Sequence, residues 1–94
     1  MTSNKNFNSK AFMKICKENH DLCKAKSKDY GKNNIIKFGL KGIIMRMYEK
    51  IERGYNIIWE GNEAEVKDEA VENIFKDVIN YGIIGLLLKR GEWK

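Results

Sequence analysis

No proline interrupts the 94 residues. Proline is the strongest helix breaker, because its ring removes an N–H and clashes with the preceding turn. Without it, glycine and asparagine-rich stretches are left to punctuate the chain, and the apolar residues between them recur with the 3.6-residue helical period. The expected class is therefore all-α, with three main helices. Residues 1–8, polar and rich in asparagine, read as a flexible N-terminus, and residues 9–94 as one domain. A chain of this length buries only about 60–65% of its unfolded surface, so a helical dimer or higher oligomer is expected.

The first helix is expected over residues 9–26, with Ser9 as N-cap. At 100° per residue, Phe12, Ile15, Cys16, Asn19, Leu22 and Cys23 share the inward face, and Lys10, Lys14, Lys17, Lys24 and Lys28 line the opposite one. Cys16 and Cys23 lie about 10.5 Å apart along an intact helix, beyond the ~7 Å reach of a disulfide, and read as small core residues. His20, the single histidine, reads as a surface residue rather than a zinc ligand. Gly31 can take positive φ and should stop this helix, and Lys32, Asn33 and Asn34 follow as a loop.

A second helix is expected from about Phe38 to Gly54, carrying Leu40, Ile44, Met47 and Ile51 inward, together with Tyr48 and Tyr55. Gly39 and Gly42 weaken its first turn. Gly61 and Asn62 mark a turn, followed by an acidic approach suited to the positive end of a helix dipole. The third helix is expected over residues 66–89, with Val71, Ile74, Phe75 and Val78 inward and Gly91 just beyond it. Its second half, from Tyr81 to Leu88, is apolar almost all round. That end is the expected oligomer contact, with Gly82 and Gly85 allowing close approach; coverage by residues 1–8 and Trp93 is the alternative.

Eighteen Lys and Arg against thirteen Asp and Glu give a net charge of +5, which favours anionic partners without naming one. No apolar run reaches the ~20 residues of a membrane span, and the N-terminus lacks the apolar core of a signal peptide. A soluble, cytoplasmic protein with no membrane partner is expected.

Two polar stripes carry the chemistry. On the second helix Arg46, Glu49, Lys50 and Arg53 fall within about 80° of arc. Spacing alone favours a solvated face in which Glu49 pairs with Lys50 and Arg53. The functional alternative uses Arg46 and Arg53 as phosphate forks, since guanidinium donors match phosphate oxygens two at a time. On the third helix Glu69, Asn73, Lys76 and Asn80 form a stripe with Asp77 at its edge and Glu72 further round. Carboxylates one turn apart can hold Mg²⁺ against substrate phosphates, and Glu69 and Asp77 are close enough on the face to do so.

The ordered series Lys28-Asp29-Tyr30-Gly31, Phe38-Gly39, Arg46 through Arg53, Asp68-Glu69-Ala70-Val71-Glu72 and Asp77-Val78-Ile79-Asn80-Tyr81 resembles the nucleotide modification associated domain 1 family. That family is common in phages and looks like a small relative of the all-α, MazG-type nucleoside triphosphate pyrophosphohydrolases. The resemblance covers about residues 22–88. It implies an oligomeric helical domain that handles nucleotides, and it picks out Asp29, Tyr30, Gly31, Arg46, Glu49, Lys50, Arg53, Glu69, Asp77, Asn80 and Tyr81. Two departures stand out: Glu49 replaces the family's usual Asp, and Asn73 replaces a second acid one turn after Glu69.

Three functions follow as expectations. The first is a nucleotide-binding protein in which Asp29, Tyr30, Gly31, Arg46, Lys50, Arg53, Asn80 and Tyr81 form the site, with Tyr30 or Tyr81 stacking on the base. No cofactor is required, and in a phage setting the protein would be a sponge for a cyclic or linear nucleotide signal in the host cytoplasm. The second is a Mg²⁺-dependent pyrophosphohydrolase with Glu49, Glu69 and Asp77 on the metal. The third and weakest is nucleic-acid binding through the lysine stripe of the first helix, which lacks interleaved aromatics for base readout.

Overall fold

The computed structural model describes residues 6–61 and 68–93, excepting the side chains of Tyr30, Lys32, Asn33, Asp68 and Glu69. The expected all-α class holds: three long helices, α1 (Ser9–Tyr30), α3 (Gly39–Gly54) and α4 (Asp68–Lys89), with a single-turn α2 (Lys32–Ile35) between the first two. The described residues include no strand, and none of their helices is long and apolar enough to cross a membrane. The connector over residues 62–67, with the expected turn at Asn62 and its acidic approach, lies outside the described residues, as do residues 1–5.

Local signals explain most boundaries. Asn8, rather than Ser9, caps α1, its Oδ1 accepting from the Ala11 N–H at 3.0 Å, and the Phe7 ring sits 5.6 Å from that of Phe12. The helix runs to Tyr30, one turn past the expected end, and stops at Gly31 with φ 67°. The expected loop at Lys32 to Asn34 is instead a helical turn, closed by Asn34 N–H donating to the Gly31 carbonyl at 3.1 Å. At the other end of the chain Gly91 N–H donates to Leu88 O (3.2 Å) and Glu92 N–H to Leu87 O (2.8 Å). This paired closure of the last carbonyls around a left-handed glycine is a Schellman motif. It folds the chain back so that Trp93 and Leu88 pack on the core.

The core is the seam between antiparallel α3 and α4. Ile43, Tyr81 and Ile84 are buried together with Ile35 of α2, and Ile57 and Ile74 are buried further along. Gly85 faces Ile43 and Gly54 faces Ile74, each close enough that an added Cβ would lie 3.5 or 3.4 Å from the isoleucine. The glycines expected to serve an intermolecular contact thus divide: Gly85 serves the packing of α3 on α4, while Gly82 has nothing within 4 Å of an added Cβ.

Several expected faces are corrected. On α3 the inward residues are Ile43, Met47 and Gly54, with Ile57 buried in the turn that follows, whereas Leu40, Ile44, Tyr48 and Ile51, and Tyr55 just beyond the helix, face outward. Met47 faces inward as expected; the rest of the expected stripe faces solvent, because both flanks of α3 are apolar. Phe75 is exposed, while Ile74 is buried and Val71 and Val78 half-buried, as expected. On α1, Asn19 is buried and Leu22 and Cys23 half-buried, but Phe12, Ile15 and Cys16 are exposed. The first turns of α1 stand apart, and α1 pairs with α4 from Glu18 onward. After Gly54 the helix widens into one π-turn, Tyr55–Trp59, closed by Glu60 N–H on Tyr55 O at 3.1 Å.

Candidate functional site

The polar residues of α3 are distributed along the groove where α1, α2 and α4 approach it. At its upper end Asn34, Ile35, Phe38, Lys41, Gly42, Met45, Arg46, Glu49, Lys50 and Tyr81 enclose a cleft of about 550 Å³, within the ~300–1,000 Å³ usual for small-ligand sites. Its floor is apolar, from Ile35 and Tyr81, and one wall presents Lys41, Arg46 and Lys50 against the single carboxylate of Glu49. Among the described residues neither Lys41 nor Arg46 makes an ion pair.

Phe38 forms the lip of this cleft, 75% exposed, with the Lys37 ammonium 5.8 Å from its ring centroid. Its position depends on Gly42 one turn later: a Cβ there would lie 2.9 Å from Phe38 Cβ, closer than packing allows. Gly39, at φ 63°, adds a bend that few other residues adopt. The two glycines that weaken the first turn of α3 therefore set an aromatic ring over a basic pocket.

Lys50 is shared with a second hollow of about 410 Å³, lined by Leu22, Lys26, Lys50, Arg53, Ala70, Asn73, Ile74 and Asp77. Here the Asp77 carboxylate, 15% exposed, accepts from Lys26 at 3.2 Å on one oxygen and pairs with Lys50 at 3.1 Å on the other. One carboxylate so joins α1, α3 and α4. Lys76 adds a longer pair to Glu18 at 3.6 Å. Among the described residues three cations, Lys26, Lys50 and Arg53, line the hollow with one acid, Asp77.

The structure brings Arg46, Glu49, Lys50 and Tyr81 together in the first cleft and Lys50, Arg53 and Asp77 in the second. The two arginines expected as phosphate forks line different hollows, Arg46 the first and Arg53 the second. Tyr81 contributes to the core cluster and is 9% exposed, which leaves little ring face for a base. Asn80 is also buried and lines a different crevice, of about 320 Å³, with Asn19, Cys23, Ile83 and Trp93. Asp29 is exposed at the end of α1 beside Gly31. The side chains of Tyr30 and Glu69 lie outside the described set. Glu49 and Asp77 do not share a lining, and among the described residues no group of three His, Cys, Asp or Glu could hold a metal ion.

Lys26, Lys41, Asn34 and Phe38 were not singled out as site residues. Lys26 carried a signal, since it lies one turn beyond Leu22 and so at the edge of the inward face. Lys41 and Phe38 come together only through the bend at Gly39. His20 is exposed beside Asp21 at 3.1 Å, where Lys17 and His20 hold the Asp21 carboxyl below its ordinary range.

No curated protein and no solved structure matches the chain. A family model, nucleotide modification associated domain 1, matches residues 26–88, a span that takes in α2, α3, the first cleft and all of the second hollow's lining but Leu22, and leaves out most of α1. The chain belongs to the nucleotide modification associated domain 1 family.

Proposed function

We propose that the chain binds a phosphorylated nucleotide in the cleft between α2, α3 and α4, with Lys41, Arg46 and Lys50 on the phosphates and Phe38 against the base. The carrying observation is the meeting of Lys41 and Arg46, which make no ion pair among the described residues, with an exposed, glycine-seated aromatic ring on one pocket of suitable volume. Binding without hydrolysis is favoured by the state of Asp77, whose two oxygens are engaged by Lys26 and Lys50. The finer reading is sequestration: a cytoplasmic, phage-type sponge for a cyclic or linear nucleotide signal of the host, requiring no cofactor.

Isothermal titration against cyclic dinucleotides, cyclic ADP-ribose isomers and nucleoside triphosphates should find a micromolar binder. Arg46→Ala should weaken it by about 1.5–3 kcal/mol, the usual loss for a charge-assisted hydrogen bond. A panel with no binder, or binding indifferent to Arg46→Ala, overturns the proposal. Hydrolysis is the second reading, favoured by one observation: Glu49 places a carboxylate in the same cleft as Arg46 and Lys50. Magnesium-dependent pyrophosphate release that is abolished by Glu49→Gln would establish it.

A further inference from the structure

Between α1 and α4 lies the crevice of about 320 Å³ whose lining includes Asn19, Cys23, Asn80, Ile83, Leu87 and Trp93. It shares no lining residue with the basic cleft or with the hollow around Asp77. Cys23 follows Asn19 by one turn on α1, and Ile83 and Leu87 follow Asn80 at three and seven residues on α4, so each helix presents a stripe in which one asparagine heads apolar side chains. The chain reversal at Gly91 brings Trp93, half-buried, to the same crevice.

The two asparagines are out of keeping with these surroundings. Asn19 is 1% exposed and Asn80 8%. Among the described residues the Asn19 Oδ1 has no hydrogen-bond partner, and the Asn80 carboxamide makes no hydrogen bond. A buried oxygen left unpaired lowers stability, a penalty that leucine, of similar size, would not carry. Ser27, also in the lining, has its hydroxyl committed to the Lys24 carbonyl at 2.8 Å. No carboxylate occurs among the described lining residues, and Lys24 is exposed at the rim. The interior is therefore uncharged, with two carboxamides left to read a ligand.

We propose that this crevice is a second binding site, for an uncharged heterocycle of one or two rings whose edge carries an N–H beside a C=O, the edge that uracil and hypoxanthine present. A carboxamide holds an acceptor and a donor in one plane and pairs with both at once, as asparagine does with the donor and acceptor of adenine. The χ2 torsion of asparagine is soft, so rotation turns either end of the Asn19 carboxamide to the crevice. Ile83, Leu87 and the Trp93 indole supply apolar walls for the rings. The volume stands at the small end of the ~300–1,000 Å³ of ligand sites, which suits a base without the sugar and phosphates of a nucleotide. Occupation of this site is independent of the basic cleft.

The experiment is a heteronuclear NMR titration of the isotope-labelled full chain with uracil and with hypoxanthine. At least one base, at millimolar concentration, should saturably shift the side-chain amide signals of Asn19 and Asn80 and the Trp93 indole N–H, leaving the backbone signals of Lys41 and Arg46 in place. Dimethyluracil, methylated at both ring nitrogens, should bind at least about tenfold more weakly, having lost the N–H that pairs with the carboxamide. Asn19→Leu should weaken binding to a similar degree without lowering stability to denaturant, whereas a merely structural Asn19 would lose stability on the same change. Ile83→Trp, at a position 46% exposed, should block the crevice and weaken binding while the core is untouched. No saturable shift with either base, shifts centred on Lys41 and Arg46, equal binding of dimethyluracil, or a bound water retained at Asn19 in the presence of base overturns the proposal. If Asn19→Leu fails to fold, Ile83→Trp decides, and binding indifferent to it overturns the proposal as well.

Discussion

The two faces of α3 are both apolar, yet they meet different surroundings. The inner face alternates bulk with absence: Ile43 packs with Tyr81 and Ile84 of α4, and Gly54 yields to Ile74 at a distance where an added Cβ would sit 3.4 Å away. The outer face is uniformly bulky: Ile44, Tyr48 and Ile51 are each more than half exposed, with no small residue among them. An antiparallel helix inside the chain packs where large and small residues interlock. Apolarity marks a surface for burial; the size pattern indicates which neighbour can bury it.

Substitutions on the two faces should separate them. Ile43→Ala removes a side chain 2% exposed from the core seam, and chemical denaturation should show a loss of about 2–5 kcal/mol that is the same at every protein concentration. Ile44→Ala, one residue on and 62% exposed, should cost about 1 kcal/mol or less. If it costs as much as Ile43→Ala, the distinction between the faces fails.

The docking of α1 sharpens the comparison with a polar case. Asp77→Asn weakens the tie to Lys26 and Lys50, whose side chains are 39 and 36% exposed, so solvent screens much of the effect and about 0.5–1 kcal/mol is expected. Hydrogen exchange should place that loss in the second half of α1 while the α3 and α4 seam keeps its protection. The smallest effect concerns reactivity alone. Burial raises the Cys23 thiol above its ordinary range, partly offset by Lys26, and Cys16 is exposed. Iodoacetamide at neutral pH should therefore label Cys16 about tenfold faster, since the thiolate is the reacting form; equal rates would place Cys23 at the surface.

Much of the fold was legible because it depends on local chemistry. Gly31 and Gly91 stop helices through their positive φ, and Asn19 falls on the buried side of α1 by angular position alone. The orientation of α3 was not legible, since Ile43, Ile44, Met47, Tyr48 and Ile51 give it two apolar flanks and periodicity does not say which one meets α4. Phe12 and Ile15 mark a face whose first half reaches no neighbour. Site residues on a single helix, Arg46, Glu49 and Lys50, could be read from spacing. Phe38, Lys41 and Lys26 reach the hollows through a bend at Gly39 or from the distant α1, relations that linear spacing does not carry.

The carboxylate of Asp77 gives the molecule an uneven response to ionic strength. Apolar packing between α3 and α4 is nearly indifferent to dissolved ions, whereas the tie among Lys26, Asp77 and Lys50, and the longer pair from Lys76 to Glu18, are partly open to solvent and so to screening over ~10 Å at 0.1 M salt. Added electrolyte therefore acts first on the seating of α1, loosening one helix of the three while the other two keep their hold.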